Sequence, residues 1–343
     1  VGRLLQRKID MLNIINEDLK KIDIDLSKLK NKSILITGAS GLLGVYLLSY
    51  IKSQQEKYNI TIYVWTKNSI DPIFAPLFEN CVLITGDITD KSMYKDIPQL
   101  DYIIHSSGYG QPAKFLIDKI KTIEINTVST IWLFEKLKKD GTFLFVSSSE
   151  IYDGLDEYDI PEEEIGNTTP DHPRACYIEG KKCGEAICHT YIEQGINAKI
   201  VRVSLTYGPG TKKGDTRVVN SLIEKAIKNP TIKLLDSGES IRTYAYVTDV
   251  IEMIMNIGLY GKKTTYNVGG TESFTIRELA RDIGKIFDKN IEIPLISKEI
   301  NGSPQIVNIC IDRYLEEFNK TNFVVINEGL ISTINWQKKL YES

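Results

Sequence analysis

Residues 33–44 read SILITGASGLLG, and this stretch decides the fold. A short apolar strand runs into Gly38, Gly41 and Gly44, spaced G-x-x-G-x-x-G, and a helical pattern opens directly behind them. Such a turn lets backbone amides approach a pyrophosphate, and the helix N-terminus favours its negative charge. A phosphate loop of the G-K-[ST] kind is excluded, because no such residues follow the glycines. The spacing therefore predicts a dinucleotide site built on Gly38, Gly41, Leu42, Leu43 and Gly44.

Outward from that turn, strands and helices alternate. Apolar runs at 60–65, 82–87, 101–107, 141–147 and 198–203 read as strands, and 114–138 and 175–194 as helices. This rhythm predicts an α/β protein with a Rossmann-type doubly wound parallel sheet, its ligand beyond the strands' C-terminal ends. Asp87 is placed to accept a bond from an adenine amino group, with Ile88 and Ser106 beside the same crevice. The second strand ends in Thr66-Lys67-Asn68, where an acidic residue usually holds the ribose hydroxyls of NAD. NAD is the expected cofactor, and NADP stays open, since Lys67 can meet a 2′-phosphate or stand in solvent. His105, at the end of a buried strand, reads as a satisfied structural residue before a catalytic one.

The chemistry lies between 145 and 186. FVSSSEIYD (145–153) ends a strand and delivers Ser148, Ser149 and Glu150 to its tip. ACYIEGKKCGEA (175–186) reads as a helix, which puts Tyr177 and Lys181, four apart, on one face. A phenol titrates near 10, too high for a base at neutral pH, and an ammonium beside it stabilises the phenolate. With a serine hydroxyl to bridge the reacting oxygen, the three groups can take a proton from an alcohol whose carbon loses hydride.

Further along come LTYGPG (205–210), a basic loop TKKGDTR (211–217), a helix at 218–228 and a glycine turn, DSGESIR (236–242). Arg217 and Arg242 are candidate diphosphate clamps, since guanidinium forks match phosphate oxygens. Helices are expected at 246–257 and 275–287, and a strand and turn at 266–270. At the other end, residues 3–25 place Leu5, Ile9, Leu12, Leu19 and Ile22 on one stripe of an amphipathic helix. The division expected is an N-terminal helix (1–30), a dinucleotide domain (31–205, with 243–262 packing back on it), and a smaller C-terminal substrate-binding lobe (206–242 and 263–343).

Composition narrows the classes. The 343 residues are 42% hydrophobic and 25% charged, with a net charge of −3. There is no basic tract for nucleic acid and no apolar run of about 18 residues for a membrane span. Five cysteines without C-x-x-C spacing and three histidines without ligand spacing point to neither disulfides nor a metal. No secretory pattern opens the sequence, so the cytoplasm is the expected location.

TGASGLLG, GDI (86–88), SSSEIY (147–152), YIEGK, YGPG, the R-x-x-x-Y-V-x-D of Arg242 to Asp249, and YNVGG (266–270) together resemble the extended short-chain dehydrogenase/reductase family. The resemblance covers everything after the N-terminal helix. Within it the nearest likeness is to UDP-glucuronate decarboxylases: their P-R-A-C-Y-x-E-G-K block matches Pro173 to Lys181 at every defined position, and their D-x-R-V-V segment resembles DTRVV (215–219). The resemblance implies a nucleotide-sugar substrate oxidised at C4, with Ser148, Tyr177 and Lys181 as the redox triad. It puts Glu150 at the sugar carbons beyond C4 and Arg242 at the substrate's phosphates or carboxylate. It also implies a homodimer formed through 114–138 and 175–194. Ser149 stands where 4,6-dehydratases have an aspartate, which disfavours dehydration. Two segments depart from the decarboxylases: Leu205 replaces an asparagine that contacts the substrate, and SSGYGQPAKF (106–115) replaces a proline-rich loop. A 4-epimerase or dehydrogenase acting on another nucleotide sugar therefore stays open, as does a catalytically silent nucleotide binder.

Overall fold

In the computed structural model, which describes residues 2–155, 157–294 and 305–342, the glycine-rich stretch lies at the centre of a seven-stranded sheet. In chain order the first elements are α1 (Gly2–Leu19), β1 (Ser33–Thr37), α2 (Leu42–Ser53), the short α3 (Gln55–Tyr58), β2 (Thr61–Thr66), β3 (Val82–Thr85) and β4 (Leu100–His105). Next come α4 (Pro112–Phe115), α5 (Lys119–Asn126), α6 (Val128–Phe134), β5 (Leu137–Ser148), α7 (Ala175–Glu193), β6 (Asn197–Val203) and β7 (Leu205–Tyr207). They are followed by α8 (Val218–Lys228), β8 (Ile232–Lys233), β9 (Ile241–Tyr246), α9 (Val247–Tyr260), β10 (Thr265–Val268) and β11 (Glu272–Thr275). The last are α10 (Ile276–Phe287), β12 (Ile291–Glu292), β13 (Ile306–Val307), α11 (Asp312–Phe318) and α12 (Ile326–Tyr341).

The main sheet runs β10-β6-β5-β4-β1-β2-β3, and every neighbouring pair is parallel. This is the doubly wound sheet the alternation predicts. Its strands are apolar on both faces because helices cover both. Ile34 and Ile36 join the core under α2 and α9, while Leu35 between them joins the core beneath α5, α6 and α7. The strand order reverses between β1 and β4, so the loops leaving those two strands flank a crevice.

Two expectations need correction here. Residues 114–138 do not form one helix: α4, α5 and α6 are separate, and β5 begins before Gly141. Asp118 accepts a bond from the Lys121 amide and restarts the helix as α5, and Thr127, at φ −111° and ψ −82°, breaks it again. Leu137 is then drawn into register with Leu100 on β4. Thr265–Val268, read as part of the substrate-binding lobe, is instead the outermost strand of the main sheet beside β6.

The smaller lobe is built on β9, which pairs antiparallel with β11 and parallel with β13 and β7. Asn267, fully buried on β10, ties it to the main sheet by donating to the carbonyls of Ile160 and Cys310 and accepting from the Tyr152 hydroxyl.

α1 packs differently from its expected stripe. Met11 and Ile15 are fully buried, with Asp18 and Ile22 on the same face, whereas Ile9 is 43% exposed; the Leu5 side chain lies outside the described residues. Asp18 is the polar centre of this face. Its Oδ2 accepts from Tyr46 on α2 at 2.8 Å and from Tyr246 at the end of β9 at 2.5 Å. One carboxylate oxygen of α1 thus joins an element of the main sheet to one of the smaller lobe. Asp10 and Lys339, 3.3 Å apart, link α1 to α12.

Candidate active site

The phosphate turn is built by exclusion. Gly38 has φ +70°, and a Cβ there would lie 2.8 Å from the Ser106 carbonyl oxygen; a Cβ on Gly44 would meet Ala39 Cα at 2.6 Å. Only glycine lets β1, the loop after β4 and the start of α2 approach so closely. Gly41 at the α2 N-cap brings no side chain, so the first amides of the helix point unscreened toward the crevice. The crevice opens into a cleft of about 270 Å³. Of the residues read as cofactor-binding, Gly38, Gly41, Leu42, Asp87, Ile88 and Ser106 line it, together with Lys67 and Tyr109. Leu43 and Gly44 stand behind the turn.

Asp87 Oδ1 accepts from the Thr89 amide and hydroxyl, and Oδ2 lies 3.7 Å from both Lys67 and Lys121. Burial works against its charge, yet these bonds and ammoniums hold its carboxyl below the usual range. His105 is structural, as its place in a buried strand predicts. Its Nε2–H donates to the Ile125 carbonyl at 3.0 Å and its Nδ1 accepts from Thr37 Oγ1 at 2.9 Å. Burial and then the Lys181 charge lower its pKa to about 3, so it stays neutral.

Ser148 ends β5 and accepts from the Glu150 amide at 3.2 Å, and it lies near enough to the Tyr177 phenol to favour its ionised form. Tyr177 stacks on Phe115 of α4, with ring centroids 4.7 Å apart and planes within 12°. Lys181, one turn further along α7, donates to the Val146 carbonyl at 2.7 Å, and its Nζ lies 5.9 Å from the centre of the Tyr177 ring. A Cβ on Gly108, which lines the cleft, would come within 3.8 Å of that ammonium. The sequence alone predicts a tyrosine made acidic by this lysine. In the folded protein the balance runs the other way: burial, then the Glu150 charge, push Tyr177 up to about 12, against Ser148 and Arg174. Lys181 itself falls to about 8, because its ammonium is buried.

Ser149 and Glu150 open the tight 3₁₀ turn 149–152 after β5. Ser149 is buried in it, 3% exposed. Glu150 reaches across to Arg174, just before α7, in a short ion pair. Its other oxygen, Oε2, is buried with no hydrogen-bond partner among the described residues. Burial raises the Glu150 pKa, with Asp153 adding to the rise and Arg174 and Arg242 opposing it. Arg242, also buried, donates to the carbonyls of Ile241 and Gln305. Arg174 was not singled out by the sequence reading, although it lies inside the quoted P-R-A-C-Y block and three residues before Tyr177, one helical turn away. Its guanidinium also sits 5.5 Å above the ring of Phe115.

Two expected substrate residues stand elsewhere. Arg217 lines the cofactor cleft, and its fork is taken by Asp215 through bonds of 2.6–3.1 Å. Leu205 begins β7 opposite Tyr244 of β9 and is partly buried against the main core. Among the described residues no group of His, Cys, Asp and Glu has the arrangement of a metal site, and no helix is long and apolar enough to cross a membrane.

A sequence model of the NAD dependent epimerase/dehydratase family matches residues 34–269. The chain is 28% identical over 323 residues to UDP-glucuronic acid decarboxylase 1 of Xenopus tropicalis, covering 92% of this chain and 75% of that one. It is similar in fold to the UDP-glucose 4-epimerase of Thermotoga maritima, with a TM-score of 0.78 at 20% identity over 90% of this chain and 100% of the other. The UDP-glucuronic acid 4-epimerase of Bacillus cereus, solved with UDP-glucuronic acid and NAD, gives a TM-score of 0.74 at 20% identity over the same shares.

Proposed function

The chain belongs to the NAD dependent epimerase/dehydratase family, and on that premise we propose that it decarboxylates UDP-glucuronate by way of a C4 ketone. The observation that carries this reading is the cluster at the end of β5 and the start of α7: Ser148 and Glu150 near the Tyr177 phenol, and two guanidiniums around Glu150. The similarity to decarboxylases supports the same chemistry.

The cleft fits NAD. Gly38 and Gly41 leave room for a pyrophosphate at the start of α2, Asp87 and Ile88 close the adenosine end, and Lys181 reaches the wall at Gly108. Bound there, the nicotinamide ring supplies the acceptor for the C4 hydride and later its donor. Lys181, together with the charge the cofactor would supply, would offset the burial that holds Tyr177 protonated, and Tyr177 would take the O4 proton through Ser148. With the ketone formed, the carboxyl on C5 belongs to a β-keto acid, and carbon dioxide leaves into an enolate. Glu150 manages the proton at C5. Arg242 is the cation of β9 for the diphosphate or carboxylate, while Arg217 serves the cofactor side of the cleft. Leu205 and the 106–115 loop favour one alternative, C4 epimerisation of another nucleotide sugar.

The working unit we assign is a homodimer in the cytoplasm. Ile117 and Ile120 are 85% and 69% exposed, at and just before the helix that packs on α7, and such a row is typical of an interface. The test is incubation of the purified protein with UDP-glucuronate and NAD, read by mass spectrometry. A UDP-pentose, lighter by one carbon dioxide, is expected, and Tyr177→Phe keeps NAD but yields none. Unchanged UDP-glucuronate with wild type directs attention to epimerisation of other nucleotide sugars; normal turnover by Tyr177→Phe removes it as the base.

A further inference from the structure

Glu150 occupies a cluster of ionisable groups. Arg174 faces it from the start of α7, Arg242 from β9, Asp153 from the end of its own turn, and the Tyr177 phenol from α7. His172 stands behind Asp153, 3.8 Å from its Oδ2. Two guanidiniums thus face two carboxyl groups in one cluster. Yet Glu150 has one oxygen on Arg174 and the other, Oε2, buried without a partner among the described residues.

A sugar that sets its C4 hydroxyl on Tyr177 and Ser148 brings its C5 substituent to the neighbouring carbon. Arg174, one turn before Tyr177 and close enough to act on its phenol, is the guanidinium already paired with Glu150. A carboxylate on C5 introduces a third anion to two cations in a water-poor site, and the strain falls on the group whose charged form is least supported. That group is Glu150, whose carboxyl burial already favours the protonated form.

We propose that Arg174 binds the sugar carboxylate, and that a carboxylated sugar takes Arg174 from Glu150 and thereby loads Glu150 with a proton from solvent. This rests on the decarboxylase reading and adds to it a substrate-sensing step. The proton then lies where the reaction consumes one. After C4 oxidation the bond from C5 to the carboxyl carbon breaks, carbon dioxide leaves, and the bonding pair remains as an enolate over C5, C4 and O4. Glu150 gives its proton to C5. With the sugar carboxylate gone, Arg174 returns to the Glu150 carboxylate. A sugar with a neutral C5 substituent offers no charge to exchange, and Arg174 stays on Glu150.

Calorimetric titration of NAD-loaded Tyr177→Phe, which binds without turnover, counts the protons when repeated in buffers of different ionisation enthalpy. Uptake of about one proton per site is expected with UDP-glucuronate and none with UDP-glucose. Adding Glu150→Gln is expected to keep binding and abolish the uptake. Adding Arg174→Gln is expected to weaken UDP-glucuronate by at least about tenfold and leave UDP-glucose unchanged. UDP-glucuronate binding without proton uptake overturns the inference and leaves the decarboxylase reading standing, as does an equal loss for both sugars with Arg174→Gln. UDP-glucose binding with no UDP-glucuronate binding at all overturns both.

Discussion

Lys181 shows what a buried cation costs. The residue is 4% exposed, and burial lowers its pKa from 10.5 to about 8. Below pH 8 folded and unfolded chains both hold the proton, and the fold bears the full cost of burying it. Between about pH 8 and 10.5 the folded protein has released a proton the unfolded chain retains, so this residue makes stability rise with pH across that window. Lys181→Met is therefore expected to gain about 2 kcal/mol near pH 7 despite losing the bond to Val146, and the gain shrinks above pH 8. Denaturant melts of both proteins at pH 7 and pH 10 check this, and a destabilised variant at pH 7 refutes it. At this scale the sequence was informative where chemistry is local: Ser148 sits at a strand tip, and Tyr177 and Lys181 are one turn apart. Arg174 and Glu150 are 24 residues apart, on different elements, and no spacing rule connects them. Nor does sequence show that Tyr177 is pushed up rather than down, because that follows from burial.

Among the elements, the strand–turn–helix of 33–53 is the most demanding. Gly44→Ala puts a methyl group against the Gly38 carbonyl and within 2.6 Å of Ala39 Cα, in a turn with no room to yield. A loss of at least about 2 kcal/mol, with weakened NAD binding, is expected. Thermal melts and NAD titration measure it, and wild-type values in both would show that the turn relaxes. This element was legible because glycine spacing and apolar runs are local signals, as they are for α8 and for α10 with its Thr275–Glu278 capping box. The stretch 114–138 was not, since its helical periodicity runs through Asp118 and Thr127, and the break at Leu137 comes from pairing with a strand made 37 residues earlier. β10 was misplaced for a similar reason: four residues carry no sign of which sheet they join.

For the whole molecule, the exposed isoleucines at and before α5 bear on assembly. Ile120 is 69% exposed, so Ile120→Asp disturbs the monomer by no more than about 0.5 kcal/mol but sets a charge in the proposed interface. Sedimentation is expected to change from dimer to monomer with an unchanged melting profile; a variant that still dimerises takes α5 out of the interface. The Asp18 junction has a consequence of another kind, in the timing of synthesis. α1 is made before its partners: Tyr46 follows Asp18 by 28 positions and Tyr246 follows it by 228, while Lys339 follows Asp10 by 329. Until Tyr246 and Lys339 emerge, the face carrying Met11 and Ile15 has only α2 to pack on, so the nascent chain carries a half-covered apolar helix in the meantime. Segments made late complete the packing of one made early.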